Sequence, residues 1–248
     1  RLNTDIAGRM IENEDLVNLP NWLALKFRIA DEDWFDERTV KILFYRQELD
    51  LQSGILLRSI RFEDSKGRRT TVQERRLVSM SDMHMAGLEF SLNAENWSAI
   101  VTVQSAIDGR VLNTGAKLYR QFNNKHLEPL AAESIGEDAV YMEVRTCQSR
   151  IHVAQAARLQ AFVDKKLRAM PRHTIDEPGY IAQEFAADLQ QGQTLLLEKI
   201  VSFFTSRDAA ISECGLAARK AIARAPRFEA LLGDHVLSWK HLWRRFDV

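Results

Sequence analysis

The chain lacks a charge imbalance: Lys and Arg total 34, and so do Asp and Glu. A neutral balance supplies no field to draw in nucleic acid or an anionic membrane, so neither is expected as a partner. Cysteine is scarce. Cys147 and Cys214 are too few and too far apart for a disulfide framework or a zinc knuckle, and they fit a reduced, cytoplasmic protein. No run of about 18 apolar residues and no charged-then-apolar leader is present, which removes the sequence-level case for a membrane span or secretion. Local catalytic signatures are missing too. There is no GxSxG elbow, GxGxxG fingerprint or Walker loop. The six histidines form no HxH, HxxxH or HExxH pair, whereas zinc requires three or four converging ligands. No metal, cofactor or catalytic residue is expected from these patterns.

What is present is alternation. With 46% hydrophobic and 27% charged residues, the composition is that of a globular protein with one large domain or two small ones. From residue 16 to about residue 110 the dominant period is two, the period of strands. In NWLALKFRI, Leu23, Leu25, Phe27 and Ile29 share one face. In LFYRQELDL, Leu43, Tyr45, Leu49 and Leu51 do the same, opposite Arg46, Glu48 and Asp50. Turn signals at Gly54, Gly67 and Asp108-Gly109 separate such runs at intervals of roughly ten residues, with no amphipathic helix between them. That spacing predicts antiparallel sheet rather than alternating strand and helix. RRTTVQERRLV carries charge on both faces, which a small closed barrel would penalise and a broad two-sheet sandwich tolerates where strands overhang the core.

The pattern resumes in AVYMEVRTC. RIHVAQAARLQAF (150–162) combines helix-favouring alanines with a period-two face and is assigned to strand. YIAQEFAADL and QTLLLEKIVSFF are expected to pair as a hairpin through Gln190-Gln191-Gly192. After Thr205 the period changes to three and four. Ser206 or Asp208 is a candidate cap for a helix through AISECGLAARKAIARA, and Pro226 suits the first turn of a second. There Phe228, Leu231, Leu232, Val236, Trp239, Leu242, Trp243 and Phe246 form one broad apolar stripe. The expected organisation is a β domain over residues 1–205 and helices over 206–248.

Several residues invite a functional reading. The acidic pairs Glu32-Asp33, Glu63-Asp64 and Glu137-Asp138 could serve acid–base chemistry, but they fall at strand ends and turns where solvated carboxylates are normal. Cys147 falls mid-strand, where a cysteine acts as a small packed residue. Trp34 and Trp97 are candidate sugar contacts, because an aromatic face suits the C–H face of a pyranose; the same residues also serve as core or edge anchors.

Several stretches, taken in order, resemble the N-terminal region of family 65 of the glycoside hydrolases: NEDLVNLPNWLALKFRI, YRQELDLQSGILLRSIRFED, RRLVSMSDMHMAGLEFSLNAENWS, SAIDGRVLNTG, HLEP and the terminal LSWKHLWRRFDV. That family holds α-glucoside phosphorylases acting on maltose, kojibiose or trehalose, together with some hydrolases. The resemblance implies a large antiparallel super-sandwich of the galactose mutarotase-like type, then linker helices, then an α/α barrel. In such enzymes the general-acid glutamate and the residues that hold phosphate and the glucosyl unit lie on that barrel, and the anomeric centre inverts. No position here inherits those roles. Family members also carry a glycine-rich segment ahead of the RLNTDIAGR stretch, so a chain starting at Arg1 is expected to be trimmed at both ends.

The resulting expectation is a non-catalytic N-terminal domain that braces a barrel, assembles as a homodimer, and meets an α-linked glucose disaccharide and phosphate only through the whole enzyme. Trp239, Trp243, Arg244 and Arg245 are the expected contacts with the barrel or another partner, which requires Trp239 or Trp243 to be partly exposed. The competing expectation is a self-sufficient sugar-binding or mutarotase-like protein. It needs histidines and a carboxylate converging on the concave face, and the sequence scatters its histidines.

Overall fold

The computed structural model describes residues 2–13, 16–113, 124–209 and 212–246. In chain order its strands are β1 (Leu2–Ile6), β2 (Arg9–Asn13), β3 (Leu25–Ile29), β4 (Lys41–Asp50), β5 (Ile55–Glu63), β6 (Arg69–Val78), β7 (Met85–Ala94) and β8 (Ala99–Asp108). They continue as β9 (Leu127–Ile135), β10 (Ala139–Thr146), β11 (His152–Val163), β12 (Lys166–Leu167), β13 (His173–Glu177), β14 (Tyr180–Leu189) and β15 (Thr194–Thr205). Two helices follow, α1 (Cys214–Arg224) and α2 (Phe228–Trp243). Every pairing between these strands is antiparallel, as the turn spacing predicts.

Among the described residues β1 and β2 pair with each other alone. The rest form two sheets. A nine-stranded sheet runs β4-β5-β6-β7-β15-β11-β10-β9, with β12 beside β11, and a four-stranded sheet runs β13-β14-β8-β3. Their facing sides make the sandwich. At one end Phe27, Ile29, Val103 and Phe185 of the small sheet meet Ile60, Phe90, Leu159 and Leu197 of the large one. At the other end Ile107 and Ile181 meet Val140, Met142, Val144 and Val201. Val140, Met142 and Val144 thus share the inner face that their alternation predicted, and RIHVAQAARLQAF is strand β11.

The outer face of the large sheet is not left to water. α1 and α2 cover it, packing Cys214, Ala218, Ile222, Phe228 and Leu231 onto Leu77, Tyr141, Ala156, Ile200 and Phe204. This is why β7, β11 and β15 are apolar on both faces: they are the middle of a three-layer stack. Phe228 reaches the sheet because Gly87 has no side chain; a Cβ there would lie 3.0 Å from the Phe228 ring. Both helices begin without a side-chain cap of their own. The sheet supplies the missing groups. The Arg158 guanidinium of β11 donates to the Ala225 and Pro226 carbonyls at 2.8 and 2.9 Å, at the electronegative end of α1. Glu198 of β15, 2% exposed, accepts from the Phe228 N–H at 3.3 Å and pairs with Arg227 at 2.6 Å, at the electropositive end of α2.

Three expectations are corrected, and one strand carries no alternation. Gln190-Gln191-Gly192 does not close a hairpin, because β14 pairs with β8 and β13 while β15 pairs with β7 and β11. The turn is an arch carrying the chain from one sheet to the other. The first helix begins at Cys214, with Glu213 before it, rather than at Ser206 or Asp208. Those two side chains instead tie off the end of β15: Ser206 Oγ accepts from the His152 N–H and Asp208 accepts from the Thr205 N–H. Ala210 and Ile211, which that expected helix included, lie outside the described residues. β4 is a strand, yet neither face is buried, since it is the edge of the large sheet and overhangs the four-stranded layer. Finally, β9 escaped the period-two reading. Pro129 cannot donate to a ladder, and the pairing with β10 slips between Glu143 and Val144, both features of an edge strand.

Candidate functional site

Three places gather chemistry-bearing side chains. The first is the end of α2, which leans over the β4–β5 turn. His235 is 1% exposed and bonded on both ring nitrogens. The Met80 N–H donates to Nδ1 at 2.9 Å, so the ring hydrogen sits on Nε2 and is given to the Gly54 carbonyl at 3.1 Å. One turn on, the Trp239 indole covers Gly54, whose φ of +63° and missing Cβ make that approach possible. Trp243 stacks on Trp239 at 6.2 Å and donates from Nε1 to the Leu51 carbonyl at 3.2 Å. The docking is one-sided. Trp239 is half-buried, while Trp243 is 38% exposed, Phe246 is 68% exposed, and Arg244 and Arg245 stand in solvent.

The second is a cleft of about 400 Å³ between the end of β3, the 30–40 loop and the β5–β6 turn, lined by Arg28, Glu32, Trp34, Asp36, Asp64 and Arg68 among others. Its charges are largely spent on one another. Burial would raise the Asp64 carboxyl, but the Arg68 guanidinium at 2.5 Å and two backbone N–H groups hold it below the usual carboxylate range. Arg38 draws Asp36 down to about 2. Lys26 Nζ and Arg28 Cζ stand 4.3 and 5.0 Å from the Trp34 ring centre, so a sugar at Trp34 has to share the ring with these cations. Trp97, the other sequence candidate, is a different case. It is 6% exposed, and its indole N–H donates to the Arg69 carbonyl and to Thr70 Oγ1, both at 3.0 Å. It is an interior anchor with no face open to a ligand.

The third is a His–Glu contact beside α1. His152 Nδ1 lies 2.7 Å from Glu143, whose other oxygen accepts from the Tyr141 hydroxyl at 2.6 Å. Burial and the neighbouring carboxylate push the Tyr141 hydroxyl far above its ordinary range, while Arg219 lies over its ring at 3.6 Å. These contacts seat α1 on β10 and bring a single histidine together with one carboxylate. Neither acidic pair at Glu32-Asp33 or Glu63-Asp64 sets two carboxylates across an open site, because Glu32, Glu63 and Asp64 are paired with Lys66, Arg69 and Arg68. Among the described residues no three His, Cys, Asp or Glu side chains converge as metal ligands, and no helix is long and apolar enough to cross a membrane.

Sequence reasoning passed over Lys199. It sits in the run Leu195, Leu197, Lys199, Val201 on the inner face of β15, and its side chain is 0% exposed. The amine bridges the sheets, donating to the Ala106 carbonyl of β8 at 2.8 Å and the Ala24 carbonyl at 3.2 Å. Burial lowers its pKa to about 7. The signal in the sequence is a lone charge in an apolar period-two face.

Comparison with known proteins fits this architecture. A model of the glycosyl hydrolase family 65 N-terminal domain matches residues 1–242. The chain is 38% identical, over its full length, to an uncharacterized glycosyl hydrolase of Mycobacterium tuberculosis strain H37Rv, and spans 19% of that protein. It is 30% identical over 198 residues to the kojibiose phosphorylase of Thermoanaerobacter brockii, covering 78% of this chain and 25% of the phosphorylase. A solved structure from the human microbiome, assigned as a kojibiose phosphorylase, superposes with a TM-score of 0.76 over 92% of this chain and 28% of its own, at 15% identity; that likeness speaks for the fold. The chain therefore spans about a fifth to a quarter of the curated relatives named, and it belongs to the glycosyl hydrolase family 65 N-terminal domain family.

Proposed function

We propose that the chain is the non-catalytic N-terminal sandwich of a cytoplasmic α-glucoside phosphorylase or hydrolase, with residues 1–205 as the β domain and 206–248 as the link to a catalytic barrel. The observation that carries this reading is the one-sided docking of α2. Its first turns are buried by the sheet, while Trp243 is only partly covered, by Trp239 and the Leu51 carbonyl, and Phe246, Arg244 and Arg245 stand in solvent as an aromatic and cationic end. Burying each large apolar side chain is worth ~1.5–3 kcal/mol, so this end gains stability when a second surface meets it. The barrel of the same polypeptide is the surface proposed. In that setting α-linked glucose disaccharides and phosphate are handled by the barrel, and the sandwich braces it, with Trp34 as a candidate contact for sugar at the cleft. The mutarotase-like alternative finds no support in the histidines, which the fold keeps in separate contacts.

The test is turnover. The purified 248-residue chain is expected to show no phosphorolysis or hydrolysis of kojibiose, trehalose or maltose. Turnover above that of a heat-denatured control would overturn the reading.

A further inference from the structure

The cleft beside Trp34 holds a cation that the fold leaves without a counter-ion. Three of the carboxylates lining it are taken: Glu32 by Lys66, Asp36 by Arg38 and Asp64 by Arg68. The fourth, Asp33, stands in solvent. Arg28 also lines the cleft, yet among the described residues its guanidinium makes no ion pair, and its Nε is buried without a hydrogen-bond partner. A guanidinium N–H can only donate, so the partner it lacks is an acceptor. Lys26, two residues back on the same face of β3, likewise meets no carboxylate among the described residues. Both cations stand over the Trp34 ring, with Lys26 Nζ at 4.3 Å and Arg28 Cζ at 5.0 Å. That attraction holds the guanidinium fork in place before any ligand arrives.

The lining narrows the ligand class. At about 400 Å³ the cleft has the size of a small-molecule site. Phe27, Ile29, Val40 and Phe62 give it an apolar side, and Trp34 adds an aromatic ring. A wholly apolar ligand would strip water from Glu32, Asp36 and Asp64 and return no hydrogen bond, a costly exchange. A hydroxylated ring avoids that cost. Its hydroxyls donate to carboxylate lone pairs that the cations leave open, and its C–H face meets the apolar lining. A neutral ring would still leave the Arg28 charge unmatched, whereas a planar guanidinium fork fits a carboxylate or a phosphate. Two uncommitted positive charges at one ring, Arg28 and Lys26, match the nearly two negative charges of a phosphate monoester better than the single charge of a carboxylate. We propose that the Trp34 cleft binds a hexose carrying a phosphate monoester, with Arg28 as the phosphate anchor and Lys26 as the second cation. This site rests on the proposed sugar contact at Trp34 and adds the charge that the sugar carries.

Isothermal titration of the 248-residue chain with glucose 6-phosphate, glucose and inorganic phosphate tests this. Glucose 6-phosphate is expected to bind saturably, with glucose and inorganic phosphate each weaker by about tenfold or more. Arg28→Gln is expected to weaken glucose 6-phosphate about tenfold, a larger loss than for glucose, and Lys26→Gln to weaken it about threefold. Lys166→Gln removes an exposed cation outside the cleft and is expected to change nothing. Circular dichroism and melting of each variant separate lost binding from lost folding. Absence of saturable binding overturns the proposal, and so does binding that survives Arg28→Gln. An equal loss in Lys166→Gln would show general charge attraction, and inorganic phosphate bound as tightly as the sugar phosphate would show an adventitious ion only; either result overturns it. Glucose bound as tightly as its phosphate keeps the sugar contact at Trp34 and removes the phosphate anchor, whereas silence with both sugars removes both. Every readout is binding heat, so none depends on whether the chain has turnover.

Discussion

Lys199 permits a test of how the sandwich interior is balanced. Its amine is buried between the sheets, and that burial brings its pKa from the ordinary 10.5 to about 7. Lowering the folded-state pKa of a cation means that, between pH 7 and about 10.4, the unfolded chain binds a proton that the folded chain has released. Stability contributed by this site therefore rises with pH across that window, by up to about 1.4 kcal/mol per unit where the difference is complete. At pH 7 the folded amine is half-protonated, so the gain between pH 7 and 9 comes to about 2 kcal/mol. Lys199→Met keeps the volume and removes the titration. The assay is urea unfolding of both proteins at pH 7, 8 and 9, read as the difference in unfolding free energy, which cancels groups remote from Lys199. The expected result is a difference that moves in favour of the lysine protein by about 2 kcal/mol from pH 7 to 9. A flat difference would refute the reasoning. It would mean that the Ala106 and Ala24 carbonyls hold the ammonium charged in the interior, outweighing burial.

Two further outcomes follow from the seat of α2. Gly54→Ala puts a methyl into the Trp239 indole at a residue with positive φ, whereas Gly67→Ala has positive φ and open space around it. The first is expected to cost about 2–3 kcal/mol and shift tryptophan fluorescence, the second about 1 kcal/mol with no shift; equal costs in chemical denaturation would show that the Trp239 contact contributes nothing. His235→Leu strips partners from the Met80 N–H and the Gly54 carbonyl and is expected to cost about 2–3 kcal/mol, so a loss below about 0.5 kcal/mol by urea unfolding would contradict the two-bond geometry.

Most strands were legible because alternation is a local property: Phe27 and Ile29, or Val140, Met142 and Val144, face the core because successive residues of a strand point to opposite sides. β9 was not, since Pro129 and a slipped register mark an edge, and an edge lacks the burial that makes alternation visible. Helix ends were misplaced for a related reason. Ser206 and Asp208 are good caps by residue type, but the helix ends are tied by Arg158 and Glu198, tens of residues away in the chain. The candidate site was legible in part. The aromatic stripe of α2 announced a helix with more apolar surface than one layer absorbs, and Trp243 is indeed partly exposed. Trp34 and Trp97 are indistinguishable as residue types, yet one lines a cleft and the other hydrogen-bonds inside the core.

The sequence by itself determined the class of structure, antiparallel sheet followed by helices, because periods of two and three-to-four are written in neighbouring residues. Only the tertiary structure decided which strands share a sheet, that Gln190-Gln191-Gly192 crosses between sheets, and that β4 ends the large sheet with no described strand beyond it. Those facts depend on which partner each backbone group finds across the fold. Alternation names the face a residue prefers, but not the layer that will cover it.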